Sequence, residues 1–235
     1  MLIYKKYWWK LLCIFCLVYT FIGGFLFEVP ARAILNETIR NLHFHVPMWF
    51  TMIVLQATSI FYSIRFLKYK SLKDDYFAHN YVATSIGFGI LGFLTGMLWV
   101  KVTWDSNPSF LTFDSELIYR DPKLKGSIIA LLIYLPFLLL RQFIPEKEQR
   151  ASISAVYNIF AFTMGIVLLF IVPRMQDSMH PGNGGNPAFS QYDLDSNLRK
   201  VFYPACIGWI TLGIWIASLK YRIDIIKAKK NEELD

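Results

Sequence analysis

Six apolar stretches, at about 11–27, 47–66, 81–100, 126–140, 153–172 and 201–219, constrain this chain more than any other feature. Crossing a hydrocarbon core of about 30 Å takes roughly 20 apolar residues as a helix, and in lipid every backbone polar group must find a partner within the protein. The stretches therefore predict a bundle of six transmembrane helices, an all-α integral membrane fold. The fourth stretch is the shortest and is expected to extend at either end. Composition agrees: 55% of the 235 residues are hydrophobic and 17% aromatic, unlike a soluble domain of this length. No separate soluble domain or internal repeat is visible, so residues 1–235 read as one membrane domain.

An even number of spans puts both termini on one side. Fifteen of the 24 Lys and Arg residues fall on that side, including Lys5, Lys6, Lys10 and the run from Lys220 to Lys230, and nine fall on the other. By the positive-inside rule both termini are cytoplasmic. Three connections then face outward: residues 28–46, 101–125 and 173–200. The net charge of +7 suggests nucleic acid at first sight, but the cations cluster at the ends of apolar runs, as membrane topology requires. The N-terminal stretch resembles a signal peptide without a small-residue cleavage site and reads as an uncleaved first span. Cys13, Cys16 and Cys206 lie in apolar runs and form no extracellular disulfide framework; Cys13-Ile14-Phe15-Cys16 lacks the following His of a haem-attachment motif.

The outer connections hold the chemistry. His45 lies just before the second span, at the end of Arg40-Asn41-Leu42-His43-Phe44-His45-Val46-Pro47-Met48-Trp49, and His180 lies between spans five and six. Pro47 is expected in the first turn of its helix. Two neutral imidazoles on one side of the membrane can ligate haem iron from its two faces, or hold another transition metal. Haem also needs apolar and aromatic surface, which Trp49, Trp99, Trp104, Phe110 and Phe113 offer, and cations for its propionates, which Arg40, Arg120, Lys123, Lys125 and Arg174 offer. His43, two residues from His45, would share its direction in an extended segment and reads as structural. His79 is expected in an inner connection. Gly92-x-x-x-Gly96 in the third span reads as helix packing alone. No hydrolase or phosphate-loop signature is present, and Gly182 to Gly185 read as a turn.

His45-Val46-Pro47-Met48-Trp49 with Arg40 upstream, Thr95-Gly96-Met97-Leu98-Trp99 with Thr103-Trp104, Asp121-Pro122-Lys123-Leu124, and the loop from Met175 to Pro187 together resemble the haem-handling protein family of cytochrome c biogenesis, in its CcmC branch. The resemblance spans nearly the whole chain. It implies a haem-binding and haem-delivery protein, not an enzyme, in a bacterial inner membrane. Haem b would be held non-covalently as cargo, with His45 and His180 as axial ligands of its iron. Arg40 is the matching propionate contact, and Trp49, Trp99, Trp104, Asp121 and Lys123 belong to the matched binding segments. The implied partners are the periplasmic haem chaperone CcmE, the ATP-binding-cassette transporter CcmAB and the small protein CcmD. One departure stands out: the family's W-G-x-x-W-x-x-D run is replaced by a longer stretch after Trp104, without the glycine or second tryptophan, in which Phe110, Phe113 and Tyr119 are the aromatic residues.

Two other classes compete. A membrane b-type cytochrome passing electrons outward usually needs ligands at several depths, and no histidine falls within the six expected spans. A permease subunit commonly carries ionisable residues inside its spans, and these spans are nearly free of them.

Overall fold

In the computed structural model, residues 7–31, 35–105, 115–181, 189 and 193–231 are described. The chain folds as an all-α bundle. Six of its helices are long and apolar enough to cross a membrane. They begin with α1 (Trp8–Leu26), α2 (Leu42–Tyr69) and α3 (Leu72–Thr103), with a 3₁₀ turn (Asn36–Asn41) leading into α2. A short α4 (Ser115–Arg120) precedes α5 (Pro122–Phe143) and α6 (Lys147–Ile166). A π segment (Val167–Ile171) and a 3₁₀ turn (Val172–Arg174) prolong α6, and α7 (Ser196–Lys230) ends the bundle.

The helices overrun the expected spans because their ends carry their own signals. Asp121 caps α5: its carboxylate accepts from the backbone N–H of Lys123 at 2.9 Å and of Leu124 at 3.1 Å, with Pro122 in the first helical position. Glu146 caps α6 and Asp195 caps α7 in the same manner. The connection between α2 and α3 shrinks to Lys70 and Ser71, so His79, expected in an inner connection, sits instead on α3.

α2 starts five residues before Pro47, which therefore lies inside the helix and not in its first turn. The cause is an apolar stripe that continues upstream of the proline: Ile39, Leu42, Val46 and Phe50 pack against Leu194, Leu198 and Phe202 at the start of α7. Three of the four histidines thus stand on helices long enough to span, contrary to the expectation that none would.

The centre of the bundle joins Met52 and Leu55 of α2, Phe77, Tyr81 and Val82 of α3, Tyr134 and Phe137 of α5, Ala161 of α6 and Ala217 of α7. Polar links cross it. Asn158 donates to Ser59 at 2.6 Å and Ser63 at 2.9 Å, tying α6 to α2. At one end Arg141 grips Asp75 with two parallel hydrogen bonds of 2.7 and 2.8 Å, both side chains nearly out of solvent. Leu11, Phe15, Val18, Ile22 and Phe25 of α1 remain exposed on the outside of the bundle, the face that lipid covers.

Candidate functional site

At the opposite end, where α1, α3 and α6 finish and α2, α5 and α7 begin, lies a cavity of about 470 Å³. That volume falls within the roughly 300–1,000 Å³ of ordinary ligand sites. His45, Trp49, Trp99, Lys123 and His180 all line it, so the fold gathers five of the expected residues from four segments. The remaining wall is mainly apolar, with Leu42, Val46, Phe50, Ile53, Phe93 and Phe189 among its side chains, and Asp193 also lines it.

His45 stands on α2 facing α3. Its Nδ1 donates to the carbonyl of Gly92 at 2.8 Å and lies 3.3 Å from Thr95 Oγ1, whose own proton goes to α3 carbonyls. A carbonyl only accepts, so Nδ1 carries the proton and Nε2 keeps its lone pair. Trp99 meets the imidazole edge-on at 6.1 Å, and its Nε1 donates to Thr38 Oγ1 at 3.1 Å. A helix turns about 100° per residue, which puts His43 roughly 200° from His45. His43 accordingly does not share its neighbour's direction: it is buried towards α1 beside Gly24 and does not line the cavity.

Gly92 and Gly96, read from sequence as packing residues, shape this wall. A Cβ on Gly96 would lie 2.6 Å from His45 Cε1, and one on Gly92 would lie 3.0 Å from Trp49 Nε1. Their missing side chains make room for the imidazole and the indole, and the carbonyl of Gly92 fixes the histidine tautomer. The four-residue spacing was visible in the sequence; that it faces two cavity side chains was not.

His180 reaches the cavity from the segment after the 3₁₀ turn. Its Nδ1 donates to Asp121 Oδ1 at 3.2 Å, since a carboxylate only accepts. Asp121 holds the whole segment, because its Oδ2 also accepts from Ser178 Oγ at 2.7 Å and from the N–H of Met179 at 3.2 Å. Burial alone would raise the Asp121 carboxyl. Hydrogen bonds from His180, Ser178 and Leu124 outweigh it and hold the group well below the usual carboxylate range. Lys123 donates to the carbonyl of Pro181, closing the loop over the N-terminus of α5. Trp104 does not line the cavity but packs edge-on against His180, ring centres 4.5 Å apart.

Arg40 does not line the cavity either. Its guanidinium donates to Glu37 at 2.6 Å and to the carbonyls of Gly24 at 3.1 Å and Phe27 at 2.7 Å, fastening the 3₁₀ turn to the C-terminal end of α1. Arg120 pairs with Glu116 at the surface. Phe110, Phe113 and Gly182 to Gly185 lie outside the described residues.

Among the described residues, no three His, Cys, Asp or Glu side chains converge as they would around a bare metal ion. The arrangement instead offers two imidazoles, each with Nδ1 fixed by an acceptor, across a mainly apolar chamber that Lys123 and Asp193 also line. Compared with models of known families and with curated proteins, the sequence matches none.

Proposed function

We propose that this chain holds haem in the cavity between His45 and His180 and passes it on. The observation that carries the reading is the convergence of the two histidines on one apolar cavity, each with Nδ1 committed to an oxygen acceptor. Two protein ligands are too few for a bare ion but complete the coordination of an iron whose other four positions are filled by a porphyrin. Haem supplies that iron and its macrocycle; the protein supplies two oriented imidazoles, indole and aliphatic walls, and Lys123 as the cation for a propionate. Arg40, committed to α1, would act on haem only through the turn that it holds.

The second histidine favours delivery over storage. His180 stands in the connection before α7, held there by Asp121 and by the hydrogen bond from Lys123 to Pro181, whereas His45 is built into a helix. A ligand that can leave with its loop lets one axial position open while His45 keeps the iron. On this reading the cavity end, which carries fewer Lys and Arg, faces outward from a bacterial inner membrane with cytoplasmic termini, and the recipient is a periplasmic haem chaperone of the CcmE type served by CcmAB and CcmD.

The test is the absorption spectrum, oxidised and dithionite-reduced, of the detergent-purified chain beside His45→Ala, His180→Ala and His79→Ala. Haem should be lost from the first two and kept by the third. Equal haem in all three would refute the two-ligand site.

A further inference from the structure

At the end of the bundle away from the two-histidine cavity, α3, α5, α6 and α7 surround a second pocket of about 530 Å³, lined in part by His79, Arg141, Gln142, Arg150, Asp224 and Lys227. We propose that this pocket binds a phosphate group, and that the proposed haem function does not require it. Three cations line it against one carboxylate. That carboxylate, Asp224, accepts from Asn80 Nδ2 at 2.8 Å, and Arg141 is already held by Asp75. The charge left over belongs to Arg150 and Lys227. Neither side chain makes a hydrogen bond or ion pair with another described residue; Arg150 meets Glu146 only at longer range.

Cations at helix ends are ordinary in membrane proteins, and at helix C-termini the macrodipole favours them. Lys227, in the last turn of α7, fits that rule. Arg150 does not: it lies in the first turn of α6, where the dipole disfavours positive charge, yet it faces the same concave pocket as Lys227 and Arg141. Glu146 already caps the α6 N-terminus, so an anion in the pocket would pair with the Arg150 and Lys227 side chains themselves. The positive charges of Arg141, Lys220 and Arg150 all reach His79, whose ring stacks on Phe137 at the pocket wall. The pocket's many polar groups suit a compact tetrahedral anion and not a flat apolar ring. Phosphate can arrive there free in solution or as the headgroup of an anionic lipid.

The experiment uses the full chain in neutral detergent at constant ionic strength and follows its melting temperature. Inorganic phosphate is titrated in one arm. In the other, micelles are doped with dioleoylphosphatidylglycerol, with dioleoylphosphatidylcholine as control. A saturable rise with inorganic phosphate identifies a free anion site; a rise with phosphatidylglycerol alone identifies a lipid headgroup site. In the double variant Arg150→Gln/Lys227→Gln the half-saturating concentration should increase at least about tenfold, the loss expected for two charge-assisted hydrogen bonds. Lys229→Gln, outside the pocket on the same helix, should leave it unchanged. Lys227→Gln alone, at an exposed position, should raise it several-fold and serves if the double variant folds poorly. The proposal is overturned if neither probe produces a saturable rise, or if the variants saturate at the wild-type concentration.

Discussion

A methyl group on Gly96 would stand 2.6 Å from His45 Cε1 and 3.2 Å from its Nδ1, so Gly96→Ala must either move the imidazole or spread α2 from α3. Overpacking of this kind costs about 1–3 kcal/mol, and haem retention is expected to fall roughly tenfold or more while Gly87→Ala, with nothing within 4 Å of the added carbon, leaves it unchanged. Haem content per purified protein measures both. Asp121 is the second residue on which the geometry turns. Its folded pKa is depressed, so the stability it contributes is fully present above the ordinary carboxyl value of about 3.8 and is lost as pH falls further. Melting temperatures of wild type and Asp121→Asn should therefore differ by a constant amount near neutrality and converge as pH falls below about 4. A constant gap at all pH values would mean that Asp121 acts by shape alone. The sequence offered His45, His180 and Asp121 as residues, but not the hydrogen bonds that join the last two, because the carboxylate and the loop meet only when α5 and the segment after α6 pack end to end.

At the level of single helices, sequence and structure part where tertiary packing decides the ends. Pro47 marked a start for α2, yet Ile39, Leu42 and Val46 find partners on α7 and carry the helix five residues further back. That shift converts His43 and His45 from neighbours in a strand-like segment into residues on opposite sides of a helix. At the other end, α3 carries Asp74 and Asp75 in its first turn, and the Asp75 carboxylate is closed off by Arg141 of α5. Removing one partner of a pair buried this deeply strands the other. Arg141→Met is expected to destabilise the bundle by about 3–5 kcal/mol, and Arg141→Met/Asp75→Leu by much less. Thermal unfolding of both variants checks this; equal losses would show that the pair contributes little beyond its separate side chains. Neither partner was distinguishable in the sequence from a solvated charge at a span end.

The whole molecule is a bundle with two chemically different ends, one with His45 and His180 on a mainly apolar cavity, the other rich in cations. The orientation that places the histidines outside predicts that an alkaline phosphatase reporter fused after residue 181 is active and a fluorescent protein fused after residue 231 is bright. The reverse pattern would place the cavity on the cytoplasmic side and remove the delivery reading. The sequence by itself determined the class of fold, the number of spans and the sharing of one side by the two histidine segments, because apolar length and charge asymmetry are properties of each stretch taken alone. Only the tertiary structure decided that His45 and His180 line one cavity, that Arg40 serves α1 instead, and that Gly92 and Gly96 make room for ring systems on α2. Those facts depend on which faces of separate helices are pressed together, and a helix face acquires its partner only when the bundle closes.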